Sequence, residues 1–187
     1  MSADRLDSAA AVARAAGAAM HHGPGDRPAP EGATCDSRQA APGLLFVGLP
    51  GRRADGGEFA PAALAAGAWG VMVEARHARA AVAAAAPDQV VLAAADPLRA
   101  LQRLARARVG ALAAAGARVV AITGSTGKTS TKDILAALLG ASGVRVYASP
   151  QNLNTEIGLP LAVLGAPAGV EVLVLEMAMR GEGQIAE

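Results

Sequence analysis

Short apolar runs alternate with longer stretches of mixed hydrophobic and polar residues along this chain. We predict that the runs form strands and the stretches between them helices, because buried strands are short and surface helices are longer and amphipathic. The predicted strands lie at residues 44–49, 70–73, 89–92, 119–122, 144–147 and 170–175, and the predicted helices at residues 6–20, 59–68, 78–86, 98–114 and 134–139. This alternation is typical of an α/β fold with parallel, doubly wound sheets.

A capping pattern at Asp96-Pro97 predicts where a second α/β unit begins. Aspartate is a preferred N-cap and proline a preferred first helical residue, so a long helix is expected to start here. That helix leads to the apolar strand at Val119. We therefore expect two domains, a small N-terminal α/β domain at residues 1–93 and a parallel-sheet domain at residues 94–187.

A glycine-rich turn between the strand at residues 119–122 and the following helix predicts a phosphate site. Glycines let backbone N–H groups turn inward, and the helix N-terminus adds partial positive charge. A lysine in this position reaches the β- and γ-phosphates of a nucleotide, and a neighbouring hydroxyl can ligate Mg²⁺. The residues of the predicted ATP site are Thr123, Gly124, Ser125, Thr126, Gly127, Lys128, Thr129 and Ser130, with Lys128 as the catalytic cation.

Lysine is rare in this chain, which strengthens the assignment of Lys128. The chain has 17 Lys and Arg residues, and only Lys128 and Lys132 are lysines. Lysine is thus kept where a compact ammonium is needed and the planar guanidinium of arginine would not fit.

A carboxylate ends the apolar strand that follows the phosphate loop. Glu176 closes the run Val172–Leu175, and ligands of parallel sheets gather at the carboxyl ends of strands. A buried carboxylate needs a compensating cation or hydrogen-bond donors, and Mg²⁺ prefers oxygen ligands. We predict that Thr129 and Glu176 ligate Mg²⁺; the alternatives are an ordinary strand-end glutamate that reaches water and a threonine that only begins a helix.

Two polar segments are further candidates for binding. Asn152, Asn154 and Thr155 could bind polar groups of a substrate or phosphate, although turns explain asparagines equally well. Ser37 and Arg38 could bind an anion, although on the residues alone a role in capping the next element is favoured.

Composition narrows the class of protein. The formal net charge of +1 gives no reason to expect nucleic acid or an anionic membrane as a partner. The single cysteine, Cys35, cannot form an intramolecular disulfide and fits a structural role in a reducing compartment. No run of 18 strongly apolar residues occurs, so we expect no membrane span. We further expect the protein to be cytoplasmic and monomeric.

Three groups of residues together resemble the Mur ligases, which join amino acids to the peptidoglycan precursor. Residues 123–130 resemble the ATP loop of that family, and residues 36–38, 42–47 and 55–59 are similar to its uridine-nucleotide domain. The segment 152–160 followed by Glu176-Met177 is similar to the branch that adds D-alanyl-D-alanine to UDP-MurNAc-tripeptide.

The resemblance implies a mechanism and roles for these residues. Residues 1–93 would bind the UDP-MurNAc-peptide, and residues 94–187 would be the first part of a doubly wound P-loop domain that uses ATP and Mg²⁺. ATP would phosphorylate the tripeptide carboxylate, and the amine of D-alanyl-D-alanine would attack the acyl phosphate. Ser37 and Arg38 would contact the uridine diphosphate. Asn152 and Asn154 would line the site near the phosphates and the acyl group.

The chain also departs from the family. Ile122 stands where the longer phosphate-loop motif has a glycine, Gly57 where many members carry a histidine, and Ala178 where a glycine is common. Members of the family continue with the rest of the ATP domain and a third domain. We therefore expect that this 187-residue chain alone does not catalyse ligation.

Two other functions remain open and one is excluded. A sister ligase that adds the third residue to UDP-MurNAc-dipeptide shares the signals of the first domain, and a non-catalytic nucleotide-binding fragment would share the phosphate loop. A GTPase would need the motif Asn-Lys-x-Asp, which neither Lys128 nor Lys132 can provide.

Overall fold

The computed structural model describes residues 6–51, 54–150 and 153–178. Six α-helices and eight strands lie in this part of the chain, together with two short 3-10 helices at Ser37–Gln39 and Gly56–Phe59. The helices are α1 Ala9–Ala16, α2 Ala60–Ala65, α3 Ala75–Ala84, α4 Pro97–Ala114, α5 Lys128–Ala141 and α6 Gly158–Leu164. The strands are β1 Ala19–His22, β2 Gly32–Thr34, β3 Leu44–Val47, β4 Gly70–Glu74, β5 Val90–Ala94, β6 Arg118–Ile122, β7 Val146–Ala148 and β8 Val172–Glu176.

Five strands form the first sheet, in the order β1-β5-β4-β3-β2. Strands β2 to β5 are parallel, and β1 runs antiparallel to β5 along the edge. Alternate residues of each strand face opposite sides, so Leu45 and Val47 pack with α1 and α4 whereas Phe46 packs with α2. Because both faces are covered by helices, the central strands β3, β4 and β5 are almost entirely apolar, as buried parallel strands usually are.

The prediction of one helix over residues 6–20 is wrong beyond Ala16. Gly17 adopts a left-handed conformation with φ 66°, and its N–H bonds back to the carbonyls of Ala13 and Arg14 to end α1. Residues Ala19–His22 then pair with β5 as strand β1. Alanine has a high helix propensity, but a tertiary pairing can override such a preference.

The predicted start of the long helix is confirmed. Asp96 Oδ1 accepts a hydrogen bond of 3.0 Å from the backbone N–H of Arg99, and Pro97 is the first helical residue. The sequence-based boundary and the structural one agree here because the start is determined by local capping chemistry.

Three parallel strands form the second sheet, in the order β6-β8-β7, and α5 packs on it. The strand predicted from residue 144 begins instead at Val146. Val144 still donates its backbone N–H to the carbonyl of Leu139, which makes it part of the turn that ends α5. The alternation of strands and helices confirms the predicted α/β class.

Helix α4 packs between the two sheets. Leu101 and Leu104 belong to the core of the first sheet, whereas Ala105 and Leu112 belong to the core of the second. The first sheet ends at Ala94 and the second begins at Arg118, so the division at residues 93 and 94 stays a prediction. Within the described ranges, no helix combines the length and the hydropathy that crossing a membrane requires.

Candidate functional site

The glycine-rich turn connects β6 to α5, as the sequence predicts. Gly124 has φ 149° and Gly127 has φ 74°, and both values lie in the region that residues with a side chain rarely adopt. Gly127 is the N-cap residue of α5, so the first N–H groups of the helix face the turn. The turn therefore has the backbone conformation of a phosphate-binding loop.

The ammonium of Lys128 lies over this turn. Its Nζ donates to the carbonyl oxygen of Gly124 at 2.6 Å and lies 3.5 Å from that of Ser125. Lys128 is only partly buried, so its charge is accessible to a ligand from the solvent side. A triphosphate bound at this turn would meet the ammonium together with the N-terminus of α5.

Glu176 and Thr129 lie together next to the phosphate loop. Strands β6 and β8 are parallel neighbours in which Ile122 is opposite Glu176, so their carboxyl ends meet at one edge of the sheet. Thr129 Oγ1 donates to Glu176 Oε2 at 2.8 Å. The sequence-based expectation that the topology carries this carboxylate to the loop agrees with the structure.

The surroundings of Glu176 explain how a carboxylate tolerates burial. Glu176 is 6% exposed, and Asn154 Nδ2 donates to its Oε1 at 2.8 Å. Its own backbone N–H donates to Ser149 Oγ at 3.0 Å. Both carboxylate oxygens are thus hydrogen-bonded, which offsets much of the cost of removing the charge from water.

The other residues of the asparagine segment have internal contacts. Besides its contact with Glu176, Asn154 accepts a hydrogen bond at its carbonyl oxygen from Ala178 N–H at 2.8 Å. Thr155 Oγ1 accepts from the backbone N–H of Gly158 at 3.1 Å, where α6 begins. Asn152 lies outside the described residues. Binding of substrate by Asn152, Asn154 and Thr155 stays a prediction.

The donor set at Glu176 fits a hard divalent cation. A carboxylate and a hydroxyl 2.8 Å apart are both oxygen ligands, and Mg²⁺ typically takes one or two protein carboxylates together with phosphate oxygens and water. Among the described residues there is no group of three or more His, Cys, Asp or Glu side chains that could enclose a metal without such a ligand. The site therefore fits a metal that arrives with the nucleotide.

A second candidate site is a cavity of about 520 Å³ in the first domain, which we call the first-domain pocket. Its lining residues are Cys35, Asp36, Ser37, Arg38, Phe46, Leu49, Ala54, Gly56 and Phe59. The floor is apolar, and the rim carries the Arg38 guanidinium. This combination suits a ligand that joins an uncharged ring to an anionic group.

Arg38 is held by Asp36 at the rim of the first-domain pocket. Asp36 Oδ1 accepts from the Arg38 backbone N–H at 3.0 Å and from Arg38 Nε at 2.9 Å, and Oδ2 accepts from Arg38 Nη2 at 2.7 Å. These hydrogen bonds lower the pKa of Asp36 to about 2. Ser37 and Arg38 both lie in the 3-10 helix that Asp36 caps, so the capping interpretation and the binding interpretation are compatible.

Cys35 lines the same pocket without being a nucleophile. Burial raises the pKa of its thiol to about 12, so almost no thiolate is present at neutral pH. This result supports the structural role expected from the sequence.

One cluster near the first-domain pocket was missed by the sequence reasoning. Asp55, Glu74, Arg76 and His77 form a group of ion pairs behind the loop that carries Gly56 and Phe59. The sequence offers no local signal for this group, because it joins a loop to a strand end and a helix about 20 residues further along the chain.

Comparisons with known proteins agree with this geometry. A family described as "Mur ligase family, catalytic domain" matches residues 31–114, and the "Mur ligase middle domain" matches residues 122–187. Together these two matches account for most of the chain.

Two curated relatives share one name. The UDP-N-acetylmuramoyl-tripeptide--D-alanyl-D-alanine ligase of Mycobacterium tuberculosis (strain H37Rv) is 45% identical over 164 residues, which is 81% of this chain and 32% of the relative. The ligase of the same name from Bacillus subtilis is 40% identical over 154 residues, which is 82% of this chain and 32% of the relative. The chain thus spans about a third of the length of the curated relatives it matches.

Solved structures show the same relationship. The crystal structure II of MurF from Acinetobacter baumannii superposes with a TM-score of 0.76 at 26% identity, over 98% of this chain and 38% of that chain. MurF ligase from Thermotoga maritima in complex with ADP superposes with a TM-score of 0.66 at 36% identity, over 82% of this chain and 33% of that chain. On the matches in sequence and in structure, the chain belongs to the Mur ligase family.

Proposed function

We propose that this chain supplies the uridine-nucleotide-binding and ATP-binding parts of a ligase that joins D-alanyl-D-alanine to UDP-MurNAc-tripeptide with ATP. The observation that carries this proposal is the pairing of Thr129 Oγ1 with Glu176 Oε2 at 2.8 Å beside the Lys128 loop. The names of the relatives specify the branch of the family. The reaction is a step in the synthesis of the peptidoglycan precursor.

The reaction would proceed in two transfers. The carboxylate of the tripeptide attacks the γ-phosphorus of ATP, which gives an acyl phosphate and ADP. The amine of D-alanyl-D-alanine then attacks the acyl carbon, and the tetrahedral intermediate collapses to an amide and phosphate. Phosphoryl transfer depends mostly on positioning and charge neutralisation, so the protein needs well-placed cations rather than a nucleophile.

The residues of the phosphate loop fit these needs. The Lys128 ammonium, which now contacts the Gly124 carbonyl, would neutralise charge on the transferring phosphoryl group. Thr129 and Glu176 would hold Mg²⁺, which supplies further positive charge when it is bound. Asn154 would keep the Glu176 carboxylate in place through its hydrogen bond to Oε1.

The first-domain pocket would hold the uridine diphosphate end of the precursor. Arg38 at its rim can pair with the diphosphate, and Ser37 can donate a hydroxyl hydrogen bond. The apolar floor formed by Phe46 and Leu49 suits the uracil ring. We also infer that the protein acts in the cytoplasm, because its proposed substrate is ATP and its single cysteine, Cys35, gives no internal disulfide.

The decisive experiment measures phosphate release by the complete gene product. We expect release to require ATP, Mg²⁺, UDP-MurNAc-tripeptide and D-alanyl-D-alanine together, and the product to be the UDP-MurNAc-pentapeptide by mass. Turnover with UDP-MurNAc-dipeptide and a free diamino acid instead would contradict the proposal in favour of the sister ligase. Binding of ATP and precursor without any phosphate release would favour a non-catalytic nucleotide-binding protein.

A further inference from the structure

One wall of the first-domain pocket is a tightly folded loop. Gly51 N–H donates to the Ala54 carbonyl at 3.1 Å, and Gly56 N–H donates to the Leu49 carbonyl at 2.9 Å. A Cβ on Gly56 would lie 2.5 Å from the Leu49 carbonyl oxygen, so only glycine fits this approach. Because Ala54, Gly56 and Phe59 line the pocket, the path of this loop determines the shape of the wall.

Asp55 fixes the loop from behind. Its Oδ1 accepts from the backbone N–H of Gly57 at 3.0 Å and so caps the 3-10 helix that ends at Phe59. Its Oδ2 accepts from the Arg76 guanidinium at 2.7 Å and contacts His77 Nε2 at 2.8 Å. The hydrogen bond from His77 is the largest cause of a lowered pKa for Asp55, which therefore stays an acceptor.

Asp55 and Arg76 both contact the same ring nitrogen of His77. Nε2 lies 2.8 Å from Asp55 Oδ2, which accepts, and 3.1 Å from Arg76 Nε, which donates. Arg76 also binds Glu74 Oε2 at 2.8 Å, which ties the pair to the carboxyl end of β4. Asp55 is thereby anchored to a strand end and a helix as well as to Gly57 of its own loop.

His77 also packs directly against the loop backbone. A Cβ on Gly57 would lie 2.3 Å from His77 Cδ2, so the ring occupies the space that a side chain at position 57 would take. On another side, a Cβ on Gly48 would lie 2.8 Å from the Gly57 Cα. The side chain of His77 is only 16% exposed. Gly57 is thus confined between the backbone near Gly48 and the imidazole.

We propose that His77 is a positioning residue for the uridine-nucleotide pocket. From α3 it holds the Asp55 carboxylate and the Gly57 backbone, and through them the 3-10 helix that presents Phe59 at the pocket wall. Phe59 is 43% exposed there, which leaves its ring available to an uncharged planar group. This inference rests on the proposed function, since it concerns affinity for the uridine precursor.

The test compares His77 variants of the complete gene product in steady-state ligation. We expect His77→Ala to raise the KM for UDP-MurNAc-tripeptide by about tenfold and to leave kcat and the KM for ATP within about twofold. His77→Gln should restore the KM to within about threefold, because its amide nitrogen can donate to Asp55 from nearly the same place as Nε2. His77→Asn, whose amide is too short to reach, should not.

The chain offers a matched control in His22, on the edge strand β1. His22 Nε2 lies 3.0 Å from the Ala86 carbonyl in an exposed contact and is not among the residues of the pocket. We expect His22→Ala to leave both KM values unchanged. Equal effects of His77→Ala on the two KM values, or no rescue by His77→Gln, would overturn the positioning role.

A second variant keeps the inference testable if His77→Ala does not fold. Gly57→Ala retains the imidazole but pushes it away, because the new Cβ would lie 2.3 Å from Cδ2. We expect the same selective rise in the KM for the uridine precursor, and no larger rise in the double variant than in His77→Ala alone, because the ring that the new Cβ displaces is already absent. A Gly57→Ala protein with normal KM values would contradict the inference.

Amide hydrogen exchange separates this inference from the proposed function. Without any ligand, the Gly57 N–H should exchange faster in His77→Ala than in the wild type, since its acceptor Asp55 loses the His77 contact and keeps only Arg76. If phosphate release by the wild type does not depend on the uridine precursor, the proposed function fails. If the Gly57 amide still exchanges faster in His77→Ala, the structural role of the His77 contact stands. Unchanged exchange at Gly57 would overturn the positioning role whatever the substrate is.

Discussion

Thr129 shows at the scale of one residue how a hydroxyl can serve two partners. Its hydrogen is directed to Glu176 Oε2 at 2.8 Å, but the oxygen keeps two lone pairs. The same atom can therefore hydrogen-bond to the carboxylate and then turn a lone pair towards a cation bound beside it. No rearrangement of the backbone is required for this change.

We predict that Thr129→Ala raises the Mg²⁺ concentration needed for half-maximal phosphate release by at least about tenfold, because one oxygen ligand is lost and Glu176 loses a donor. Thr131→Ala is the matched control. The Thr131 hydroxyl donates to the Gly127 carbonyl at 2.9 Å and is exposed, so its removal should change activity by no more than about twofold. A Mg²⁺ titration of both variants makes the comparison, and equal effects would contradict the predicted metal site.

A second residue-scale prediction concerns Cys35. Because burial raises its pKa from 9.0 to about 12, the thiolate fraction falls about 1,000-fold, and alkylation by iodoacetamide at pH 8 should be slower in the folded protein than in urea by about that factor. Below about pH 9 the thiol is neutral in the folded and unfolded states and does not change the free energy of unfolding. As the pH rises from 9 towards 12, only the unfolded state ionises, so the free energy of unfolding falls. Alkylation at the same rate in both states would show that the thiol is not held in a buried environment.

At the scale of elements, local chemistry was predictable and tertiary pairing was not. The strand, turn and helix around Lys128 and the start of α4 at Asp96 follow from motifs of a few adjacent residues. Strands β1 and β2 have the short sequences Ala-Met-His-His and Gly-Ala-Thr, which contain no long apolar run, and they form by pairing with β5 and β3. His77 escaped notice for the same reason, since its partner Asp55 lies 22 residues away.

The cap of α4 gives a prediction at this scale. Asp96→Ala removes the acceptor of the Arg99 N–H and should lower the free energy of unfolding by about 1 kcal/mol. Asp26→Ala, at an exposed aspartate in a turn, is the control and should change it by less than about 0.5 kcal/mol. Urea unfolding of both variants provides the measurement, and a loss no larger than that of the control would mean that the cap contributes nothing.

At the scale of the whole molecule, α4 joins the two sheets into one packed body. Its first turns carry Leu101 and Leu104 into one core, and Leu112 near its end enters another. Leu161 and Leu164 of α6 also contact the first core. The two sheets are thus linked through shared helices, although each carries its own candidate site.

Two aromatic residues allow this linkage to be tested. Trp69 is buried in the core of the first sheet, and Tyr147 packs against the core of the second. They are the only tryptophan and tyrosine of the chain. We predict that urea unfolding followed by Trp69 fluorescence and by Tyr147 absorbance gives the same midpoint, because shared packing makes the transition cooperative. Midpoints that differ by more than their error would show that the sheets unfold independently.

The scarcity of lysine has a practical consequence for studying this molecule. Lys132 is 3% exposed and its Nζ contacts Asp133 at 2.6 Å, whereas Lys128 is only partly buried. An acylating reagent that modifies side-chain amines therefore has one accessible target among residues 1–187, and that target is the cation of the phosphate loop. ATP bound at the loop would protect Lys128 from the reagent. The extent of acylation of the one peptide that contains Lys128 would then report occupancy of the loop in a cell extract, without purification.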